Sequence, residues 1–224
     1  MNRTTLLFTL LTLLTAALFV ADLASGSVPV AAGDVWAALT GGACDPATRD
    51  IILKIRLLKA VMAVAAGAAL AASGLEMQTL FRNPLAGPYV LGVSSGASLG
   101  VAIFLLGAPL LGVGSHAFVQ SLGIAGAAWL GSALVLALIM AVSRRIKDIM
   151  VILILGMMFG SGVSAVVEIL QYLSNENALK SFVIWTMGSL GDVTGSQLTL
   201  VLPIVGAGLV LAVAVIKPLN LLLL

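Results

Sequence analysis

Charged residues are scarce in this 224-residue sequence. Eleven lysines and arginines and nine aspartates and glutamates make up 9% of the chain, whereas 61% of it is hydrophobic. Soluble domains carry roughly a quarter charged residues, so this chain has too few polar groups to cover a surface that faces water. The composition excludes an ordinary soluble domain and predicts an integral membrane protein. The formal net charge of +2, without basic clusters interleaved with aromatic residues, also excludes a nucleic-acid partner.

Cysteine and histidine each occur once, as Cys44 and His116. A single cysteine excludes an intrachain disulfide and any metal site built from thiolates. His116 lies in a glycine-rich connector with no acidic or thiol neighbour nearby, so we interpret it as an ordinary loop histidine. The sequence also lacks a Ser/His/Asp set, a zinc signature and a Walker motif. We therefore expect no catalytic residue, no cofactor and no metal site, and the chain is not predicted to be an enzyme.

Long apolar runs divide the sequence into membrane spans, since a helix needs about 20 apolar residues to cross a bilayer. Six spans are predicted, at 5–25, 57–81, 88–107, 117–142, 149–172 and 197–216. The predicted fold class is therefore all-α, a polytopic helical membrane protein with about six transmembrane helices. A shorter apolar piece at 181–190 is too brief to cross and is predicted to be a half-helix or a re-entrant element.

The connections between spans predict an orientation. The compact basic loop "SRRIKD" at 143–148 resists translocation, which predicts a cytoplasmic N-terminus and places polar residues 26–50 on the opposite side of the membrane. The first apolar run is longer than the usual core of a signal peptide, so we expect it to be retained as a span. The sequence ends on the apolar run "KPLNLLLL", from which we expect it to be incomplete at its C-terminus.

Small residues recur at four-residue spacing in several spans. Helices in lipid associate through close van der Waals contact, which small residues permit. We therefore predict helix packing at Gly67, Gly74, Gly92, Gly96, Gly100, Gly156 and Gly160. Ser94, Ser95 and Ser98 lie among the glycines of the third span, and two interpretations stay open for them. They line a transport pathway, or they only pack.

The stretch "RNPLAGP" at 82–88 predicts a sharp break between two spans. Pro84 and Pro88 have no backbone N–H to donate to a helix, and each disfavours a helical conformation in the residue before it. Asn83 can satisfy backbone groups that the break leaves free. Secondary transporters also contain broken helices, so a secondary transporter with a proline-broken helix link is an alternative function.

The segment "GAALAASGLEMQTLFRNPLAGPYVLGVSSGASLG", at 67–100, resembles the permease subunits of the ABC importers for iron-siderophores, haem and cobalamin (type II importers). The matching pieces are Ser73-Gly74 at the end of a small-residue helix, then Gln78, then "RNPLAGP" and "LGVSSGAS". A second match is "WTMGSLGDVT" at 185–194. The two matches together cover most of residues 50–200.

The resemblance implies a fold with about ten spans per subunit, of which this chain supplies the N-terminal six or so. It also implies a homodimer of the permease, two ABC ATPase subunits that hydrolyse the ATP, and a periplasmic substrate-binding protein that docks on the outer face. The expected function is translocation of an iron chelate (siderophore or haem) or cobalamin across the bacterial inner membrane, with residues 26–50 in the periplasm.

The resemblance also implies candidate site residues. Arg56 and Lys59 match two basic positions that in relatives pair with acidic residues of the binding protein, although Leu58 stands where the family has proline. Three residues apart on a helix, both charges are expected on one face, where they would steer the encounter with an acidic patch. The expected translocation pathway is formed by Ser94, Ser95, Ser98, Glu168 and Trp185.

Overall fold

The computed structural model describes residues 2–107, 117–146, 148–191 and 193–221. All regular elements in these ranges are helices, which confirms the predicted all-α class. His116, interpreted above as a loop histidine, lies outside the described residues, as do position 147 of the basic loop and the last three positions of the apolar ending.

The α-helices of the described ranges are α1 Arg3–Ala24, α2 Ala32–Thr40, α3 Pro46–Asp50, α4 Leu57–Leu80, α5 Val93–Ala102, α6 Ala117–Ser143, α7 Ile149–Leu173, α8 Glu176–Thr186 and α9 Gly195–Leu221. The π-helical stretch Ile51–Arg56 joins α3 to α4, and a second one, Ile103–Gly107, extends α5. A short 3-10 helix spans Pro88–Leu91.

Within the described residues, five helical stretches are long and apolar enough to cross a membrane. They correspond to the first, second, fourth, fifth and sixth predicted spans, and they are Arg3–Ala24, Pro46–Leu80, Gly123–Ser143, Ile149–Leu173 and Gly195–Leu221. The spanning part of α6 begins at Gly123 because the backbone of that residue is not helical (φ 64, ψ 176).

The third span is shorter than the predicted 88–107. Gly92 has φ +72, in the left-handed region that glycine adopts readily, and it separates the 3-10 helix from α5. The apolar helical run that follows is Val93–Gly107, which is about 22 Å long at 1.5 Å per residue. A bilayer core is about 30 Å thick, so this run is shorter than a straight crossing, and its continuous helix begins at Val93 and not at the predicted 88.

Two further predicted segments differ from the structure, and in each a helix begins at a capping side chain. Residues 26–50, predicted as a loop, contain α2 and α3, and α3 begins where the Asp45 side chain accepts a hydrogen bond from a first-turn N–H at 3.1 Å. The element predicted at 181–190 is α8, which begins earlier because Asn175 accepts a first-turn N–H at 2.9 Å. Asp and Asn favour this N-cap position, and hydropathy does not detect it.

The helices form two compact units. Unit one comprises the residues up to Ala69 together with Leu190–Leu211, and its buried core is Leu23, Val35, Ala38, Ile52 and Ala60. Unit two comprises Leu70–Ser189 together with 212–221, and in it α5 packs mainly on α6 and α7. Its two buried clusters are Phe81, Ala86, Leu91, Val135 and Ile139, and Val101, Ala102, Leu106, Val167 and Phe182.

Candidate functional site

A buried arginine closes the C-terminal end of α1 in unit one. Arg56, the last residue of the π-helical stretch before α4, is only 7% exposed. Its Nη1 donates to the carbonyl oxygens of Leu23 and Ala24, both at 2.9 Å, and its Nη2 donates to the carbonyl oxygen of Val28. The last carbonyls of a helix have no partner inside the helix, and a cation there is favourable. Arg56 therefore ties the end of α1, and the chain after it, to the start of α4.

Gly26 leaves room for the guanidinium of Arg56. A Cβ at position 26 would lie 2.9 Å from Nη2 and 3.0 Å from Cζ of Arg56. Any larger residue at position 26 would therefore have to move the guanidinium. The chain after α1 thus closes tightly around the charged group.

Lys59 lies one helical turn after Arg56 and has a different environment. Its Nζ is 3.5 Å from Oδ1 of Asp22, in the last turn of α1, and the two side chains are 46% and 39% exposed. The spacing predicts both cations on one face, but the structure buries the charge of Arg56 among carbonyls and leaves Lys59 partly exposed. The sequence does not indicate this difference, because the acceptors of Arg56 are backbone oxygens. The docking role of the two residues stays a prediction.

The break after α4 is built around Asn83. Arg82, the residue before it, has φ 47, so the chain leaves the helix through the left-handed region. The Asn83 Oδ1 accepts a hydrogen bond from the N–H of Leu85 at 2.9 Å, which satisfies a backbone donor inside the turn. Pro84 lies in this turn, and Pro88 opens the 3-10 helix, a first position that proline favours.

Glycines bring α5 and α6 into backbone contact in unit two. A Cβ added at Gly96 would lie 2.6 Å from the carbonyl oxygen of Gly131, and one added at Gly131 would lie 2.9 Å from the backbone nitrogen of Gly100. A Cβ at Gly100 would meet the carbonyl group of Ala127, whose carbon would be 2.9 Å away. Side chains do not fit at such distances from backbone atoms, so this contact requires glycine on both helices.

The helix α7 approaches the start of α5 in a similar way. A Cβ at Gly156 would lie 3.0 Å from the Cα of Leu91. A Cβ at Gly160 would lie 3.5 Å from the Cα of Gly92 and 3.4 Å from Oγ of Ser95. Five of the seven glycines singled out in the sequence therefore lie at helix contacts of unit two, and Ser95 packs at one of them.

Gly131 and Ala127 are contact residues that the spacing argument above did not include. They stand four residues apart in "AAWLG", which is the same spacing that marks α5, so the signal was present in the sequence. Gly67 and Gly74 differ from the others, since nothing in the described part of the chain lies within 4 Å of a Cβ added at either. Their packing role stays a prediction.

Comparison with known proteins assigns this helical arrangement to a family. The family model of the FecCD transport family matches residues 13–224, which is nearly the whole chain. The chain belongs to the FecCD transport family. It is accordingly a multi-pass membrane protein of that family, and the resemblance to ABC importer permeases is confirmed.

Relatives of this chain include named permeases and a solved structure. The hemin transport system permease protein HmuU of Yersinia pestis is 38% identical over 171 residues, which are 72% of this chain and 49% of the relative. The vitamin B12 import system permease protein BtuC of Escherichia coli O127:H6 is 34% identical over 174 residues, 78% of this chain and 51% of the relative. A protein described as a metal-chelate type ABC transporter, solved in an inward-facing conformation, aligns with 98% of this chain and 65% of its own, at TM-score 0.76 and 30% identity. The chain therefore spans about half the length of the curated relatives that it matches.

The residues predicted to line a pathway all lie in unit two, on α5, α7 and α8: Ser94, Ser95, Ser98, Glu168 and Trp185. Ser94 and Glu168 are exposed. Trp185 is half-buried, and its ring centroid lies 6.1 Å from that of Phe182. Across the described ranges, no three His, Cys, Asp or Glu side chains are grouped so that they could hold a metal ion.

Proposed function

We propose that this chain forms the membrane-spanning part of a permease subunit in a bacterial ABC importer. The proposed cargo is an iron chelate (a siderophore complex or haem) or cobalamin, and the membrane is the inner membrane. The observation that carries the proposal is the FecCD match over residues 13–224. The names of the hemin and vitamin B12 permeases support the cargo class, and the fold likeness over 98% of the chain supports the architecture.

The proposal includes partners that supply the energy and the substrate. Two ABC ATPase subunits would hydrolyse ATP in the cytoplasm, and a periplasmic substrate-binding protein would deliver the cargo to the outer face of a permease homodimer. ATP binding by the partner would then change the side to which the pathway opens, without enzymatic activity in this chain. Arg144 and Arg145, close to a span end, support a cytoplasmic N-terminus and a periplasmic location for residues 26–50.

Uptake by a strain that lacks the permease tests this function. The protein, expressed with its ATPase and its binding protein, should restore uptake of one of three labelled compounds: a ferric siderophore, haem or cyanocobalamin. That uptake should stop when the P-loop lysine of the ATPase partner is replaced, because the transport energy comes from ATP. Uptake that continues in this ATPase variant would contradict the proposal and favour a secondary transporter.

The pathway itself is proposed to pass along Ser94, Ser95, Ser98, Glu168 and Trp185. Ser94 is the best position for a test because it is exposed, so a larger side chain there disturbs no packing within the described residues. Ser94→Leu should lower uptake severalfold, whereas Ser161→Leu, at an exposed serine of α7 outside the set, should not. Both variants should melt at the wild-type temperature, and equal uptake by both would leave Ser94 without a pathway role.

Docking of the binding protein is proposed to depend on the exposed cation Lys59, with Arg56 holding the backbone beneath it. Lys59→Glu should weaken binding of the substrate-binding protein about tenfold at low salt, mainly through slower association, since exposed charges steer encounter. Lys54→Glu is the matched control, because Lys54 is also exposed and ion-paired, to Asp50 at 2.8 Å. If the wild type and Lys59→Glu bind the substrate-binding protein with equal affinity at low ionic strength, Lys59 has no docking role.

A further inference from the structure

We infer that the carboxylate of Asp22 competes with acidic groups of the substrate-binding protein for Lys59. Asp22 stays paired with Lys59 until one of those groups displaces it. The inference rests on the docking role proposed above for Lys59. Docking is then an exchange of one carboxylate for another, and the chain itself limits how tightly its partner is held.

The geometry of the pair permits such an exchange. Asp22 belongs to the last turn of α1 and Lys59 to the first turn of α4, so the fold, and not local spacing, brings them together. Nζ and Oδ1 are 3.5 Å apart, and a large part of each side chain stays exposed. A second carboxylate can therefore approach Lys59 from solvent while Asp22 is still in contact with it.

Arg56 keeps Asp22 and Lys59 at this separation. It stands three residues before Lys59, and it donates to the carbonyl oxygens of Leu23 and Ala24, the two residues that follow Asp22. Hydrogen bonds from a charged donor are stronger than neutral ones, and Arg56 is buried. The carboxylate of Asp22 is thus kept near Lys59 by these backbone contacts, and it stays there when the ion pair opens.

The weakness of the ion pair makes it reversible. Exposed ion pairs contribute little to stability, so a partner that offers acidic groups can displace Asp22. The displaced carboxylate then lies beside the carboxylate of the partner, and the repulsion between like charges speeds dissociation. We therefore expect Asp22 to lower the affinity of the complex and to shorten its lifetime.

A double-mutant cycle tests the inference in the protein reconstituted in nanodiscs with its ATPase partner, with the purified substrate-binding protein as the probe at low ionic strength. Asp22→Asn should raise the affinity about twofold to fivefold, Lys59→Gln should lower it, and Asp22→Asn should raise the affinity less in the Lys59→Gln background than in the wild type. Higher salt should reduce the gain. Asp50→Asn is the matched control, since it removes the same charge and frees Lys54, and it should leave the affinity unchanged.

Acetylation by a soluble amine-reactive reagent, read by mass spectrometry, tests the pair without the binding protein. Asp22→Asn should speed the acetylation of Lys59 but not of Lys54, because only Lys59 loses its carboxylate partner. Unchanged acetylation of Lys59 overturns the inference, and so does unchanged affinity of Asp22→Asn while Lys59→Gln weakens binding. If Lys59→Gln binds like the wild type, the docking role itself fails, and the inference fails with it.

Discussion

Gly131→Ala is expected to lower the free energy of unfolding by about 3 kcal/mol, the upper part of the usual range for overpacking. The new Cβ would lie 2.9 Å from the nitrogen and 3.0 Å from the Cα of Gly100. These neighbours are backbone atoms, which cannot rotate away as a side chain can, so α5 and α6 would have to separate along their whole contact. The loss can be measured as a lower melting temperature in detergent, followed by the fluorescence of the tryptophans, among them Trp129 on α6.

Gly162→Ala is the matched control for this substitution. Gly162 is also a helical glycine of unit two, but nothing among the described residues lies within 4 Å of an added Cβ. Alanine is more favourable than glycine inside a helix by about 0.5–1 kcal/mol, so this variant should melt at or above the wild-type temperature. If Gly131→Ala melts like Gly162→Ala, the two backbones do not touch as described and the packing argument is wrong.

Arg56→Met is expected to destabilise unit one by about 3 kcal/mol, since each buried polar group left without a partner costs about 1–3 kcal/mol and water recovers part of that cost. Methionine keeps an apolar chain in the same place, but the carbonyl oxygens of Leu23, Ala24 and Val28 lose their donor. The chain after α1 should loosen first. Limited proteolysis at residues 25–31, together with a thermal melt, measures both effects.

Two companion variants separate the hydrogen bonds of Arg56 from its charge. Arg56→Lys keeps the charge but lacks the planar fork that reaches several acceptors, so its stability should lie between that of the wild type and Arg56→Met. Lys54→Met removes an exposed cation two residues earlier in the same helical run, and it should change stability by less than about 1 kcal/mol. Equal melting of Arg56→Met and Lys54→Met would show that the contacts of Arg56 do not stabilise the fold.

Hydropathy located most of the helices because crossing a membrane requires a long apolar run, whatever its neighbours are. The first run was predicted at 5–25 and is Arg3–Ala24, and the fifth was predicted at 149–172 and is Ile149–Leu173. The third run was predicted as one helix from residue 88, but the backbone conformation of Gly92 divides it into a 3-10 helix and α5. The positive φ of Gly92 ends one helical element and allows the next, and an average over side-chain polarity contains no information about it.

The candidate site was only partly predictable for a similar reason. The sequence identifies Arg56 and Lys59 as cations near a helix start, but their environments depend on α1, which is more than thirty residues away. The pairing of Lys59 with Asp22 and the burial of Arg56 are products of tertiary structure. Gly131, by contrast, could have been found from its spacing to Ala127, because small residues four apart favour close packing wherever they occur in a span.

The contact between α5 and α6 also constrains how the proposed importer can move. A screw motion of α5 by one residue, about 1.5 Å along its axis, would bring a side chain to the place that Gly96 occupies against Gly131. We therefore expect the two helices to move together in the proposed transport cycle. Hinges are to be sought at the ends of α5, at the left-handed Gly92 and in the π-helical Ile103–Gly107. A swing of this helix pair would then pivot at its ends instead of shearing through its middle.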